Sequence, residues 1–291
     1  MKQLRSIENV GPVYIGLGSF DGIHRGHLAL AKQLAESARQ AGAASMIVSL
    51  YDPEATVLTT EEEKSYLLQD SGVDYLLSLP YTEELRQLSR KELLQQVLIP
   101  GLGVVAIVCG EDDLPGLKDC GLTAISCPMQ KSSSGQTISS CELKRLLAAG
   151  DLAAYQEQAG HAYLLIGIIV HGAARGRKVG QPTANLGLIP QKQIPPHGVY
   201  ATLSGLGEDL HMGLTNIGRR PSVDDRPDVT VETFILDFDE DIYGETEVLE
   251  LCFPIRGVMK FNGLEEVRDQ VQKDIQMARA KLSAIYTERL R

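Results

Sequence analysis

The hydrophobic rhythm of this chain changes once, near residue 160, and that change limits the folds open to it. Before it, continuous apolar runs alternate with stretches of helical period. Residues 13–20, 44–51, 74–80 and 104–110 read as strands, with helices over 27–42, 61–72 and most of 83–103 between them. Strands that are apolar on both faces and separated by helices predict a parallel sheet covered on both sides. After it, "YLLIGIIVHG", "HGVYATLSGL", "VTVETFILDF" and "EVLELCFPIRG" are short, β-rich and divided by turns, as in a small antiparallel barrel or sandwich. Leu264, Val267, Val271, Ile275 and Ala278 then recur at helical spacing, which predicts one closing amphipathic helix. Two domains follow, 1–158 and 159–291, and 291 residues suffice for two cores.

Charge narrows the partners. With 28 basic against 38 acidic residues the net charge is −10. This argues against nucleic acid held by a broad basic surface and against an anionic membrane surface. A nucleotide needs only local donors and stays open. Five cysteines, at 109, 120, 127, 141 and 252, lack paired zinc spacing or a disulfide framework, and read as reduced thiols of a cytoplasmic protein. The N-terminal stretch has no apolar core of a signal peptide, and no window approaches a membrane span.

Two stretches are dense in chemistry. In "GSFDGIHRGH" (18–27), glycines let backbone N–H groups approach a ligand, and a helix from about His24 presents its positive end. His24 and His27, three apart, could both face a phosphate chain and stabilise charge on its oxygens. Paired histidines could equally bind a metal or sit solvated at a helix start. In "GAARGRKVGQPTANLGL" (172–188), glycines permit a tight wrap and Arg175, Arg177 and Lys178 supply cations. Thr183 and Asn185, two apart on an extended segment, point the same way and offer oxygens suited to Mg²⁺ shared with phosphates. A surface loop whose Thr and Asn serve turns is the plainer reading.

The first stretch resembles the adenylyltransferase signature, whose H-x-G-H core stands here as His24-Arg25-Gly26-His27. Its longer form is similar to the N-terminal half of prokaryotic bifunctional riboflavin kinase/FAD synthetases. "VVAIVCGEDDLPG" resembles that family's G-x-D-F-x-F-G, keeping Gly110 and Asp112 but placing Asp113 and Pro115 at the aromatic positions. "ISSCELKRLLAAGDL" resembles I-S-S-T-x-I-R, with Cys141 for Thr and Lys144 for Arg, and "SLYDPE" lacks the usual F-x-P-H-P. The resemblance implies that His24 and His27 stabilise ATP phosphates while FMN attacks the α-phosphorus. It places Gly18, Phe20, Asp21, Gly26, Gly110, Asp112, Ser139, Ser140 and Lys144 around ATP. Thinned aromatic surfaces weaken flavin stacking by about 0.5–1.5 kcal/mol per contact, and lysine keeps charge without the bidentate fork.

"GRKVGQPTANLGL" strongly resembles the riboflavin kinase signature G-R-x-L-G-x-P-T-A-N-L, and further matches run in order through "PPHGVYA", "GLTNIGRRPSV", "VETFILDFDEDIYGE" and "IRGVMKFNGLEEV". This implies a six-stranded barrel that phosphorylates riboflavin with ATP. Thr183 and Asn185 take the Mg²⁺-ligand positions, Gly176, Arg177, Gly180 and Pro182 the ATP loop, and Glu232 the general base. Gln181 departs from the usual apolar residue. The expected function is therefore riboflavin to FMN to FAD, with ATP and Mg²⁺. A second reading keeps the kinase and leaves the first half a degenerate nucleotide binder.

Overall fold

The computed structural model describes residues 1–117, 120–171, 183–219 and 229–290. They divide into two compact units. The first comprises Met1–Lys144, Glu157–Gly160 and Gln191–Gln193, and the second Arg145–Gln156, His161–Pro190 and Ile194–Arg291.

The first unit is built on a six-stranded sheet whose paired strands all run parallel. Its strands are β1 (Lys2–Leu4), β2 (Val13–Gly18), β3 (Ala44–Tyr51), β4 (Tyr75–Pro80), β5 (Val104–Gly110) and β6 (Thr123–Cys127), in the order β1-β4-β3-β2-β5-β6. The apolar runs read as strands are β2 to β5, and both their faces are covered. Val13, Ile15, Met46, Val48 and Ile107 pack in one layer, and Ile47, Leu76 and Val108 in the other with Ala31 and Leu34 of α1 (Arg25–Gln40). α2 (Glu61–Leu68) starts at a capping box, Thr60 with Glu63.

The segment read as mostly helix over 83–103 is so, with one break at residues 87–89, in four pieces. These are α3 (Glu83–Arg86), α4 (Arg90–Glu92), a wide π-helical turn over Leu93–Leu98, and α5 (Ile99–Leu102). The break has a local cause: Ser89 and Glu92 form a fresh capping box, which starts a new helix. Leu93, Leu94, Leu98 and Leu102 reach the core from the continuous helical stretch 90–102, as the apolar period implies.

Two further helices follow, α6 (Ser140–Ala149) and α7 (Leu152–Ala159). Of the two serines able to cap α6, Ser139 does so: its Oγ accepts the Glu142 N–H at 3.3 Å.

The second unit is a closed barrel of β7 (Tyr163–Val170), β8 (Ala184–Gly187), β9 (Gly198–Leu206), β10 (Asp209–Arg219), β11 (Val229–Ile235) and β12 (Thr246–Gly257), in the order β10-β11-β8-β7-β12-β9. All pairs are antiparallel. Closure leaves no free edge. α8 (Leu264–Arg289) covers one side of the barrel, packing Ala278 and Leu282 on Val199, Ala201, Leu203 and Leu214. Of the expected stripe, Val271, Ile275 and Ala278 pack on the barrel, and it continues beyond them. Leu264 is 63% exposed, and the packed face runs from Val271 and Ile275 on to Ile285 and Tyr286. Asp274 sits in that stripe, buried, with Arg256 Nε at 2.8 Å to neutralise it.

Candidate active site

In the first unit the residues expected to form a phosphate loop lie where the carboxyl end of β2 meets the start of α1, the ligand-binding end of a parallel sheet. His24 is the helix N-cap, and its Nδ1 accepts the His27 N–H at 3.3 Å. The two imidazoles stack with centroids 3.7 Å apart and planes 14° from parallel. Stacked rings do not converge their nitrogens on one point, which disfavours the metal reading of the pair. Gly26 makes the stack possible, because a Cβ there would lie 3.1 Å from Cε1 and Nδ1 of His24. Phe20 closes the other side of His27, centroids 5.0 Å apart.

Burial, followed by the neighbouring His24 and then Lys64, holds His27 well below the usual histidine range. It enters the site as a neutral ring able to donate one hydrogen bond, not as a resident cation. Its Nδ1 is enclosed without a hydrogen-bond partner.

The loop between β2 and α1 is strained and firmly held. Phe20 and Ile23 both have positive φ, 48° and 36°, a conformation that persists only when surroundings over-determine it. Gly22, at φ 85°, leaves no room for a side chain, since a Cβ would meet Leu58 at 2.9 Å and Leu143 at 3.1 Å. Asp21 is the anchor. Its Oδ1 accepts the N–H groups of Leu58 at 2.7 Å and Thr59 at 3.0 Å, and its Oδ2 pairs with Lys144 Nζ at 2.9 Å. Thr59 Oγ1 accepts the Gly22 N–H at 2.8 Å, and Ser140 Oγ donates to the Asp21 carbonyl at 2.7 Å.

The loop residues expected around ATP are thus brought together: Gly18, Phe20, Asp21, His24, Gly26 and His27, with Ser140 and Lys144 tied in through Asp21. Ser139 serves the helix start beside them. Gly110 ends β5, the strand next to β2, whereas Asp112 is exposed in the turn that follows.

Sequence reasoning passed over Thr59, Lys64 and Arg90. Lys64 is buried, with Nζ 2.6 Å from Glu61 and 3.0 Å from Ser49 Oγ. Arg90 donates to the Leu17 carbonyl at 3.3 Å, at the end of β2, and pairs with Asp113 at 2.6 Å. Asp113, which stands at a position where the family has an aromatic, therefore has an ionic partner. The capping box at Ser89 was the available signal for Arg90, since it marks a helix start at the sheet's ligand end.

In the second unit Asn185 of β8 lies directly opposite Glu232 of β11, and Glu232 opposite Asn216 of β10. Opposed residues share a face of the sheet, so the Mg²⁺-ligand position and the general-base position stand side by side. The Oδ1 of Asn185 is enclosed and has no hydrogen-bond partner, while its Nδ2 donates to the Thr183 carbonyl at 3.4 Å. A buried amide oxygen without a donor, two residues from a hydroxyl, fits a hard cation. A cavity beside Thr183 is walled by Ile169, Thr233, Ile235, Asp241 and Tyr243. Gly176, Arg177, Gly180 and Pro182 lie outside the described residues.

Inside the barrel runs a polar column that the sequence did not announce. Thr202, Thr215 and Thr233 are buried and linked by hydroxyl contacts of 2.9 and 3.0 Å. Glu247, also buried, accepts from Ser204 at 2.6 Å, and burial pushes its carboxyl up to about 7.

Among the described residues no helix is long and apolar enough to cross a membrane. Comparison with known proteins matches the FAD synthetase family model to residues 6–141 and the riboflavin kinase model to residues 159–282. The bifunctional riboflavin kinase/FMN adenylyltransferase of Listeria monocytogenes is 30% identical over 91% of this chain and 91% of its own. The Escherichia coli K12 protein of the same description is 31% identical over 96% and 97%. The crystal structure of a macrolide-efflux protein from Streptococcus pneumoniae has a TM-score of 0.81 at 24% identity, covering 96% of this chain and 98% of that one, and at that identity it speaks to the fold alone. The chain belongs to the bifunctional riboflavin kinase/FMN adenylyltransferase family.

Proposed function

We propose that this protein makes FMN and FAD in two ATP-dependent steps, with residues 1–158 serving adenylyl transfer and residues 159–291 the kinase step. The observation that carries the reading is that each unit brings its own reactive set together: the stacked His24–His27 pair over a held phosphate loop, and Asn185 opposite Glu232 on the barrel.

In the kinase step Glu232 accepts the proton of the ribityl 5′-hydroxyl as that oxygen attacks the γ-phosphorus of ATP, and ADP leaves. Thr183 and Asn185 would hold Mg²⁺, which screens phosphate charge when bound. Gly176, Arg177, Gly180 and Pro182 are assigned to the loop over the ATP phosphates. In the second step an FMN phosphate oxygen attacks the α-phosphorus of ATP, and the bond to pyrophosphate breaks. His24 and His27 donate hydrogen bonds to the oxygens on which charge builds, and His27, neutral at rest, stabilises that charge without trapping the substrate by a salt bridge. Gly18, Phe20, Asp21, Gly26, Gly110, Asp112, Ser139, Ser140 and Lys144 shape and hold that nucleotide site. Riboflavin, FMN and ATP are the partners, and we assign the protein to the cytoplasm.

Single substitutions test the division of labour. Glu232→Gln lowers FMN formation by about 10²–10⁴-fold while FAD formation from supplied FMN is unchanged. His27→Ala lowers FAD formation by about 10²-fold or more while FMN formation is unchanged. Loss of both products in either variant contradicts the assignment. The kinase-only alternative finds no support in the first unit, whose loop is fully held and whose histidines are paired.

A further inference from the structure

The tripeptide Gln191–Gln193 follows the kinase signature in sequence, yet it belongs to the first unit. Val57 and Lys192 form a parallel bridge, with the Val57 N–H donating to the Gln191 carbonyl and the Gln193 N–H to the Val57 carbonyl, both at 2.9 Å. Lys192 is 4% exposed. Its Nζ donates to the Leu58 carbonyl and pairs with Glu63 Oε2, each at 2.5 Å. Glu63 is itself fully buried, and the same oxygen accepts the Thr60 N–H at 2.8 Å.

These contacts lead straight to the phosphate loop. Leu58 gives its carbonyl to Lys192 and its N–H to Asp21 Oδ1. Asp21 Oδ2 pairs with Lys144, whose Nζ also donates to the Thr56 carbonyl and whose own carbonyl accepts from Gln193 Nε2 at 3.0 Å. The path Lys192–Leu58–Asp21–Lys144–Gln193 is therefore a closed ring of hydrogen bonds. Its two ends are adjacent residues of the tripeptide.

We propose that Lys192 is a positioning residue for adenylyl transfer: it holds Leu58, and through Leu58 the Asp21 carboxylate and the strained loop that presents His24 and His27. The inference rests on assigning adenylyl transfer to that loop. A lysine buried this deeply in a unit it does not belong to by sequence needs a reason beyond neutralising Glu63, and the Leu58 carbonyl supplies one. Small displacements of a reacting group cost up to about 10²-fold in rate, so the loop has little tolerance for slack.

The test uses full-length Lys192→Met and the double variant Lys192→Met/Glu63→Gln, each assayed for FMN formation from riboflavin and for FAD formation from supplied FMN. The double variant removes both buried charges, so it keeps its stability but leaves the Leu58 carbonyl without its donor. The expected result is a kcat for FAD formation at least 10-fold below wild type in both variants. The KM for ATP changes less than kcat, FMN formation stays within about twofold, and the melting temperature recovers in the double variant. Wild-type FAD formation in the double variant overturns the proposal, because Lys192 then only neutralises Glu63. Parallel loss of both activities in the double variant, as on unfolding, overturns it too. His27→Ala is the control: undiminished FAD formation there sinks the loop assignment itself, whatever Lys192 does.

Discussion

At the scale of single residues, function depends on side chains whose neighbours set their state. His27 is kept neutral by burial and by the ring stacked on it. Gly26 is the least conspicuous partner of that pair, since any Cβ there pushes on the His24 ring. Gly26→Ala is expected to lower FAD formation about tenfold or more without loss of FMN formation or of helix stability, and a variant with wild-type FAD turnover would refute the stacking account. Glu247 gives a second residue-scale prediction, this one in pH. Its carboxyl titrates near 7 when folded against the ordinary value of 4.5. The folded state thus binds the extra proton between those values, and stability contributed by Glu247 falls as pH rises through that window. Relative to Glu247→Gln, the wild type is expected to lose roughly 2–3 kcal/mol between pH 5 and pH 8, measured as the difference between two denaturant titrations. A pH-independent difference would contradict the buried-acid picture. The histidines and Asn185 were legible as candidates because their spacing sits in dense motifs, and Asp21 and Glu232 through the resemblance to the family. Glu247 and the threonines of the barrel column were not, because a polar residue at an inward position of a strand looks like any other alternation until the barrel closes around it.

At the scale of elements, the strands of the sheet were the readable part. Four continuous apolar runs became β2 to β5, whereas β1 and β6, short and at the edges, carried too few residues to declare themselves. The helical stretch expected over most of 83–103 is there with one break, for a reason present in the sequence: Ser89 and Glu92 box off a new start. The final helix was found with Val271, Ile275 and Ala278 on its inward face, but not the exposure of Leu264, because periodicity fixes the stripe's spacing and not where along it the barrel lies. In the barrel itself, three strands are joined across their inner face by the Thr202–Thr215–Thr233 hydroxyl chain. Thr215→Val removes the middle hydroxyl while keeping the shape, and leaves two buried hydroxyls each short of a partner. A loss of about 1–3 kcal/mol in barrel stability is expected, read by thermal unfolding, and a change below about 0.5 kcal/mol would show that the column contributes nothing as a unit.

At the scale of the whole molecule, one chain carries two folds suited to two phosphorus chemistries. A parallel sheet ending in a glycine-rich loop and a helix start gathers backbone donors around a phosphate chain. A closed antiparallel barrel sets the buried Asn185 amide oxygen and the Glu232 carboxylate on neighbouring strands. That two folds follow one another was legible from the change of hydrophobic period near residue 160; the placing of Arg145–Gln156 with the second unit was not. The return of Gln191–Gln193 to the first unit was not, because three residues that form one parallel bridge and one buried ion pair leave no periodic signature. The departures from family motifs at Asp113 and Pro115 bear on the same scale. By the family resemblance they would remove aromatic stacking surface for flavin, yet Asp113 gains Arg90 and the histidine loop is intact. Adenylylation should therefore be slower or weaker in FMN binding, not lost. The most direct test is a time course of the purified protein with riboflavin, ATP and Mg²⁺, with flavins separated by chromatography. FMN that rises first and is then converted to FAD is the predicted result. FMN that accumulates with no FAD, even when FMN is supplied in excess, would contradict the account.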